Sequence, residues 1–148
     1  MTQPQDVVHA SKLYQGWLSQ LKDEAMLATH NQSQAIMRAV MHELRRYLTI
    51  DQVLAFVDAL PPLPRGIFIE NWRPSDPPPE LDKAEDLTQA VVSSLSPHVI
   101  PPQTIVADVF KVWSERSEPW NAKTMRSVLP DALKPLWPEE TSGSSATR

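Results

Sequence analysis

The sequence contains no cysteine. No disulfide framework, thiolate nucleophile or zinc–thiolate site can be built from it. Glycine is almost as scarce, with Gly16, Gly66 and Gly143 the three present. Neither a glycine-rich phosphate loop nor a Gly-x-Ser-x-Gly nucleophile elbow can be assembled from these. No apolar run approaches the roughly 20 residues that span a bilayer. The N-terminal stretch MTQPQDVVHA has neither the basic start nor the apolar run of a secretory signal. Positive charge is not in excess: 14 Lys and Arg against 18 Asp and Glu leave a formal charge of -4. That balance offers no general attraction to nucleic acid or acidic lipid. The absences together predict a cytoplasmic protein without a membrane partner, a bound metal or a cofactor.

What is present is a helical chain used twice. The apolar fraction of 41% supports a core, and 148 residues is the usual size of one domain. Placing Leu60–Pro61 over Leu129–Pro130 also puts Ile36 over Ile105, Val40 over Val109, Leu44 over Trp113 and Ile67 over Leu136. A unit that cannot cover its own apolar face has a reason to pair with its copy. The expected fold is therefore all-α, a single helical domain of two degenerate three-to-four-helix repeats packed on each other. It should occupy residues 1–138, with unit one at 13–74, unit two at 80–138 and a disordered polar tail at 139–148.

Helical spacing of Tyr14, Trp17, Leu18, Leu21 and Ala25 predicts a first helix over 14–26. A second should begin at Asn31, with Gln34 completing a capping box and Ile36, Val40, Leu44 and Tyr47 as its core stripe. Thr49 and Gln52 form another box, with Leu48 able to staple onto Val53 at the head of a third helix. Pro61, Pro62 and Pro64 can open a short fourth helix toward Trp72, because first-turn amides have no intrahelical partner. The proline-rich stretch 73–79 reads as an extended connector. Beyond it, stripes through Leu87, Val91 and Leu95, then Val109, Phe110 and Trp113, then Ala122, Met125 and Leu129 predict three more helices. Glu80, Asp82, Glu85 and Asp86 read as complements to a helix dipole rather than as a carboxylate site.

The stretch from Leu60–Pro61 through Arg65, Gly66 and Trp72 to Pro74 resembles a bacterial family known as domain of unknown function 2267. Arg38 to Leu44, Leu48–Thr49 and the closing run from Leu129–Pro130 through Leu133 and Leu136 to Trp137–Pro138 share the likeness. The chain departs from the family pattern at Phe68, where a tyrosine is usual nearby, at Asn71, near a usual glycine, and at Pro64. The resemblance implies a duplicated helical domain. It implies no activity and carries no functional residues with it.

Candidate chemistry is thin. His42-Glu43-Leu44-Arg45-Arg46 starts like a zinc-protease helix, but Arg46 stands where a second imidazole is needed, and a fixed cation cannot bind zinc. His9, His30 and His98 lack a partner at ligand spacing. Arg38, His42, Arg45 and Arg46 form a basic stripe that reads as the solvated face of the second helix rather than as a phosphate contact. Trp17 and Trp113 lie on apolar stripes and read as core, whereas Trp72 and Trp137 end short segments where a half-exposed ring could pin one unit or meet a partner.

The candidate binding surface is Arg65, Gly66, Glu70, Asn71, Trp72 and Arg73. The repeat sets Gly66 opposite Pro135, whose ring fixes a negative φ, so Gly66 is not needed for a left-handed turn. It should instead permit close approach of another element or of a ligand. The competing reading makes Arg65 and Glu70 an ion pair and Trp72 a lid on the core. The leading expectation is a noncatalytic module that binds an unidentified protein or itself. The alternative is a small-molecule binder, or an enzyme without a familiar motif, using the groove between units. A polar cavity at the unit junction favours the alternative, and a contiguous exposed apolar patch the first.

Overall fold

The structure is a computed structural model that describes residues 4–139, so the expected tail from residue 140 onward lies outside the described residues. The described elements are all helical: α1 (Gln5–Glu24), α2 (His30–Leu44), α3 (Ile50–Ala59), α4 (Pro62–Phe68), α5 (Ala84–Leu95), α6 (Ile105–Arg116) and α7 (Pro119–Val128). Short 3-10 turns follow α2 at Arg45–Tyr47 and α7 at Asp131–Leu136.

Local sequence explains most of the boundaries. Thr49 caps α3, its side chain accepting from the Gln52 amide while Gln52 returns a bond to the Thr49 amide. The α2 box is shifted from the expected place: Thr29 and Gln32 form it, leaving His30 and Asn31 inside the helix. Gln34 is then free to accept from the Tyr14 hydroxyl on α1. Helix α1 begins nine residues before the predicted start, at Gln5 rather than residue 14, carrying Val7, Val8, Ala10 and Leu13 ahead of the buried stripe that starts at Tyr14. Pro62 and Pro119 each sit in a first helical turn.

Packing crosses between the halves. Helix α1 lies on α6, α2 on α5, and α3 on α7. The repeat expected from sequence, which sets α5 and α6 opposite α1 and α2, would make the first two of these pairings equivalents of each other. Helix α6 buries Ile105, Val106, Val109, Phe110, Val112 and Trp113, a stripe wide enough to make it a central element. Around it, Phe56 stacks on Phe68 at 4.8 Å and meets Trp113 edge-on at 5.4 Å, and Phe110 touches Trp113 and Trp137, both at 5.5 Å. The Trp113 indole N–H donates to Met37 Sδ at 3.2 Å. Aromatic rings from both halves thus fill one core, and neither half could cover its own share. Trp137 is buried rather than half-exposed, because the Asp131–Leu136 turn folds it onto Phe110.

Candidate functional site

The basic stripe of α2 is spent on the end of α4. Arg45 donates from Nη1 to the Phe68 and Glu70 carbonyls at 2.8 and 2.7 Å, and Arg38 pairs with the Glu70 carboxylate at 2.9 Å. His42 Nε2 lies 2.7 Å from the Ile67 carbonyl. A carbonyl can only accept, so Nε2 carries the proton. Burial pushes the imidazole below its ordinary range, outweighing the carbonyl bond and Glu70, while Arg45 and Arg38 push the same way as burial. These side chains bond the Ile67 and Phe68 carbonyls in the last turn of α4 and both the carbonyl and the carboxylate of Glu70 just beyond it. The stripe is therefore a tertiary cap rather than a purely solvated face, and Arg46, paired with Glu43 at 3.1 Å, is its exposed member.

Of the residues expected to form a binding surface, Arg65 bonds away from the stretch from Glu70 to Arg73. Arg65 turns back on α3, donating from Nε to the Val57 carbonyl and from Nη2 to the Leu60 carbonyl, both at 2.8 Å. It makes no ion pair with Glu70, whose carboxylate is taken by Arg38. Gly66 has a negative φ, as expected, but nothing lies within 4 Å of where a Cβ would sit. The close approach inferred for it is absent. Asn71 takes the left-handed conformation at φ 55°, which asparagine tolerates better than most residues, and ends the α4 segment. Trp72 is half-buried against the core, and Arg73 Nη1 donates to the neighbouring Trp72 carbonyl at 3.1 Å.

The close approach occurs at the other helical glycine. Gly16 sits in α1, and a Cβ there would come within 2.7 Å of Arg116 Nη1. The absent side chain gives the Arg116 guanidinium a seat against α1, beside Trp17. Arg116 Nε donates to Gln20 Oε1 at 2.7 Å, and Gln20 Nε2 donates to Glu115 Oε1 at 2.9 Å, which fixes the amide orientation. Among the described residues no carboxylate oxygen lies within 4.0 Å of Arg116 or Arg65.

These groups border a cleft of about 470 Å³ between the halves, lined from α1 by Leu13 and Trp17, from the end of α3 by Asp58 to Leu60, by Pro61 and Arg65, and from the second half by Glu115 to Glu118 and Asn121. Among the described residues two buried side-chain polar atoms have no hydrogen-bond partner, Trp17 Nε1 and Ser117 Oγ. Both residues line this cleft. A buried donor left without an acceptor costs roughly 1–3 kcal/mol, so two on one cleft form a notable concentration of unmet hydrogen-bonding capacity. A second cleft of about 500 Å³ runs along α2 beside Ser94 and Leu95. Its polar side chains are largely engaged already: Arg38 with Glu70, His42 with Ile67, Glu43 with Arg46, Gln34 with Tyr14 and Ser94 with the Val91 carbonyl.

Residues 14–136 match the family model described as uncharacterized conserved protein (DUF2267). The chain belongs to that family. The match spans both halves and includes Trp17, Arg65, Arg116 and Ser117, so all of the cleft lining but Leu13 lies within the matched residues. No curated protein matches the chain. Among the described residues no group of three or more His, Asp or Glu side chains is placed to hold a metal ion, and no helix is long and apolar enough to cross a membrane.

Sequence reasoning placed Trp17 in the core correctly but had no access to its unpaired N–H, which depends on what the fold brings opposite the ring. Gly16 was the available signal. A glycine in a helix interior costs about 1 kcal/mol relative to alanine, which invites a search for the group that needs the space.

Proposed function

We propose that this DUF2267 protein is a noncatalytic helical binding module whose ligand site is the cleft between its two units, within units close to residues 13–74 and 80–138. The observation that carries this reading is the cleft of about 470 Å³ itself, where the terminal amino groups of Arg116, seated against Gly16 and held at Nε by Gln20, have no hydrogen-bond partner among the described residues. A ligand that supplied acceptors there would recover hydrogen bonds the fold alone does not make. Of the six residues first considered as a binding surface, Arg65 belongs to this site. Gly66, Glu70, Asn71, Trp72 and Arg73 frame the turn that anchors α4.

The test is native mass spectrometry of the purified chain after incubation with a small-molecule extract. Wild type should retain an adduct that Gly16→Ala loses. The substitution favours the helix by about 1 kcal/mol and collides only with the guanidinium of Arg116, a side-chain end that can be displaced without moving backbone, so folding should survive it. An adduct retained equally by both, or none in wild type, would overturn the proposal.

A second reading, interaction with another protein or self-association, is favoured by Ile50 and Leu54. They lie one turn apart on α3 and are 38% and 52% exposed. Analytical ultracentrifugation checks it: a concentration-dependent dimer abolished by Leu54→Glu supports self-association, and a monomer across the concentration range removes it.

A further inference from the structure

We infer that the cleft takes a small molecule bearing both a carboxylate and a cationic amine, in the manner of a free amino acid. This rests on the cleft reading and specifies its ligand.

The groups without partners are mainly donors. The Trp17 indole N–H can only donate. It and the Ser117 hydroxyl are fully buried, so the accessible donors of the cleft are those of Arg116. Arg116 is held by its Nε bond to Gln20 and by the Gly16 seat, and its two terminal amino groups have no hydrogen-bond partner among the described residues. A guanidinium fixed at Nε presents a planar pair of donors, which fits the two oxygens of a carboxylate. Arg65 adds a second positive charge, although its Nε and Nη2 are committed to α3 carbonyls.

The same cleft argues against a ligand that is only an anion. Asp58, Glu115 and Glu118 line it with Arg65 and Arg116, so three carboxylates face two guanidiniums. A phosphate carrying close to two negative charges would enter a site with no net positive charge. A zwitterion answers both signs, its carboxylate toward Arg116 and its ammonium toward the acids. The volume of about 470 Å³ lies within the range of small-molecule sites.

Isothermal titration calorimetry on the full chain tests this with free amino acids, the corresponding amino-acid amides, the matching carboxylic acids without the amine, and inorganic phosphate. At least one free amino acid should bind. Its amide, lacking the charged acceptor, should bind about 10–100-fold more weakly, the loss typical of a charge-assisted hydrogen bond. The acid without its amine should also weaken. Arg116→Gln and Gly16→Ala should each remove binding, with circular dichroism showing the helical fold retained. Amides or phosphate binding as tightly as amino acids, or no amino acid binding, would overturn the inference. In the extract experiment, an adduct lost in Gly16→Ala that is not a carboxylate-bearing amine would leave the cleft reading standing and sink this one. An adduct indifferent to Gly16→Ala would sink the cleft reading itself.

Discussion

Trp113→Ala should be among the most damaging single substitutions in the protein. The ring is fully buried, packs against Phe56 and Phe110, and donates to Met37 across the boundary between the halves. Truncating a buried tryptophan removes transfer energy and leaves a cavity, together worth about 3–5 kcal/mol. The aromatic contacts place the expected loss in the upper part of that range, about 4–5 kcal/mol. Domains of this size hold roughly 5–15 kcal/mol in total, so a large fraction would be lost. In urea, with a slope of about 2 kcal/mol per molar, the midpoint should fall by about 2 M while the slope stays unchanged. Trp113→Phe, which keeps an aromatic ring, should lose less than half as much. A loss below about 1 kcal/mol for the alanine variant would mean that the ring does not join the two halves, and the shared-core account would fail.

Three further outcomes follow from the same contacts. Residues 13–74 and 80–138 expressed separately should each lack a cooperative thermal transition by circular dichroism, because each leaves its half of the aromatic cluster uncovered; two independent melts would contradict this. Arg65→Met should lose about 1–2 kcal/mol in urea titration by removing the donor to the Leu60 carbonyl and leaving the Val57 carbonyl with the Leu60 amide alone, and a neutral result would show that water replaces the guanidinium without cost. Because burial lowers the His42 pKa in the folded state, its contribution is fully present above the unfolded value of about 6.5 and is lost as pH falls through the folded value. Wild type should therefore lose stability between pH 7.5 and pH 5 relative to His42→Gln, and parallel pH profiles would refute the assignment.

The helices were legible because their determinants are local. Apolar stripes located α2, α3, α5, α6 and α7, and Thr49 with Gln52 marked a start that the structure reproduces. Where two local solutions overlapped, sequence could not choose: Thr29 with Gln32 and Asn31 with Gln34 both spell a box, and the tertiary bond from Tyr14 to Gln34 accompanies the first. The end of α1 toward Gln5 was missed because its apolar residues Val7, Val8, Ala10 and Leu13 are small or scattered among polar ones and none is fully buried. The cleft was the least legible feature. Trp17, Asp58, Arg65, Arg116 and Ser117 come from separate parts of the chain, and their meeting depends on α1 crossing α6. The reasoning that a glycine marks a close approach was sound but fell on Gly66, which faces open space, instead of Gly16, which seats Arg116.

The most direct test of the cleft as a binding site is the indole region of a nitrogen-15 correlation spectrum. The five tryptophans give one N–H signal each, and Trp17→Phe assigns the relevant one. Titration with the free amino acid that binds most tightly should move the signal of Trp17, which lines the cleft, and leave that of Trp120, 66% exposed and absent from the cleft lining, in place. A Trp17 signal that stays still while Trp72 or Trp120 moves, or that no free amino acid displaces, would contradict the account.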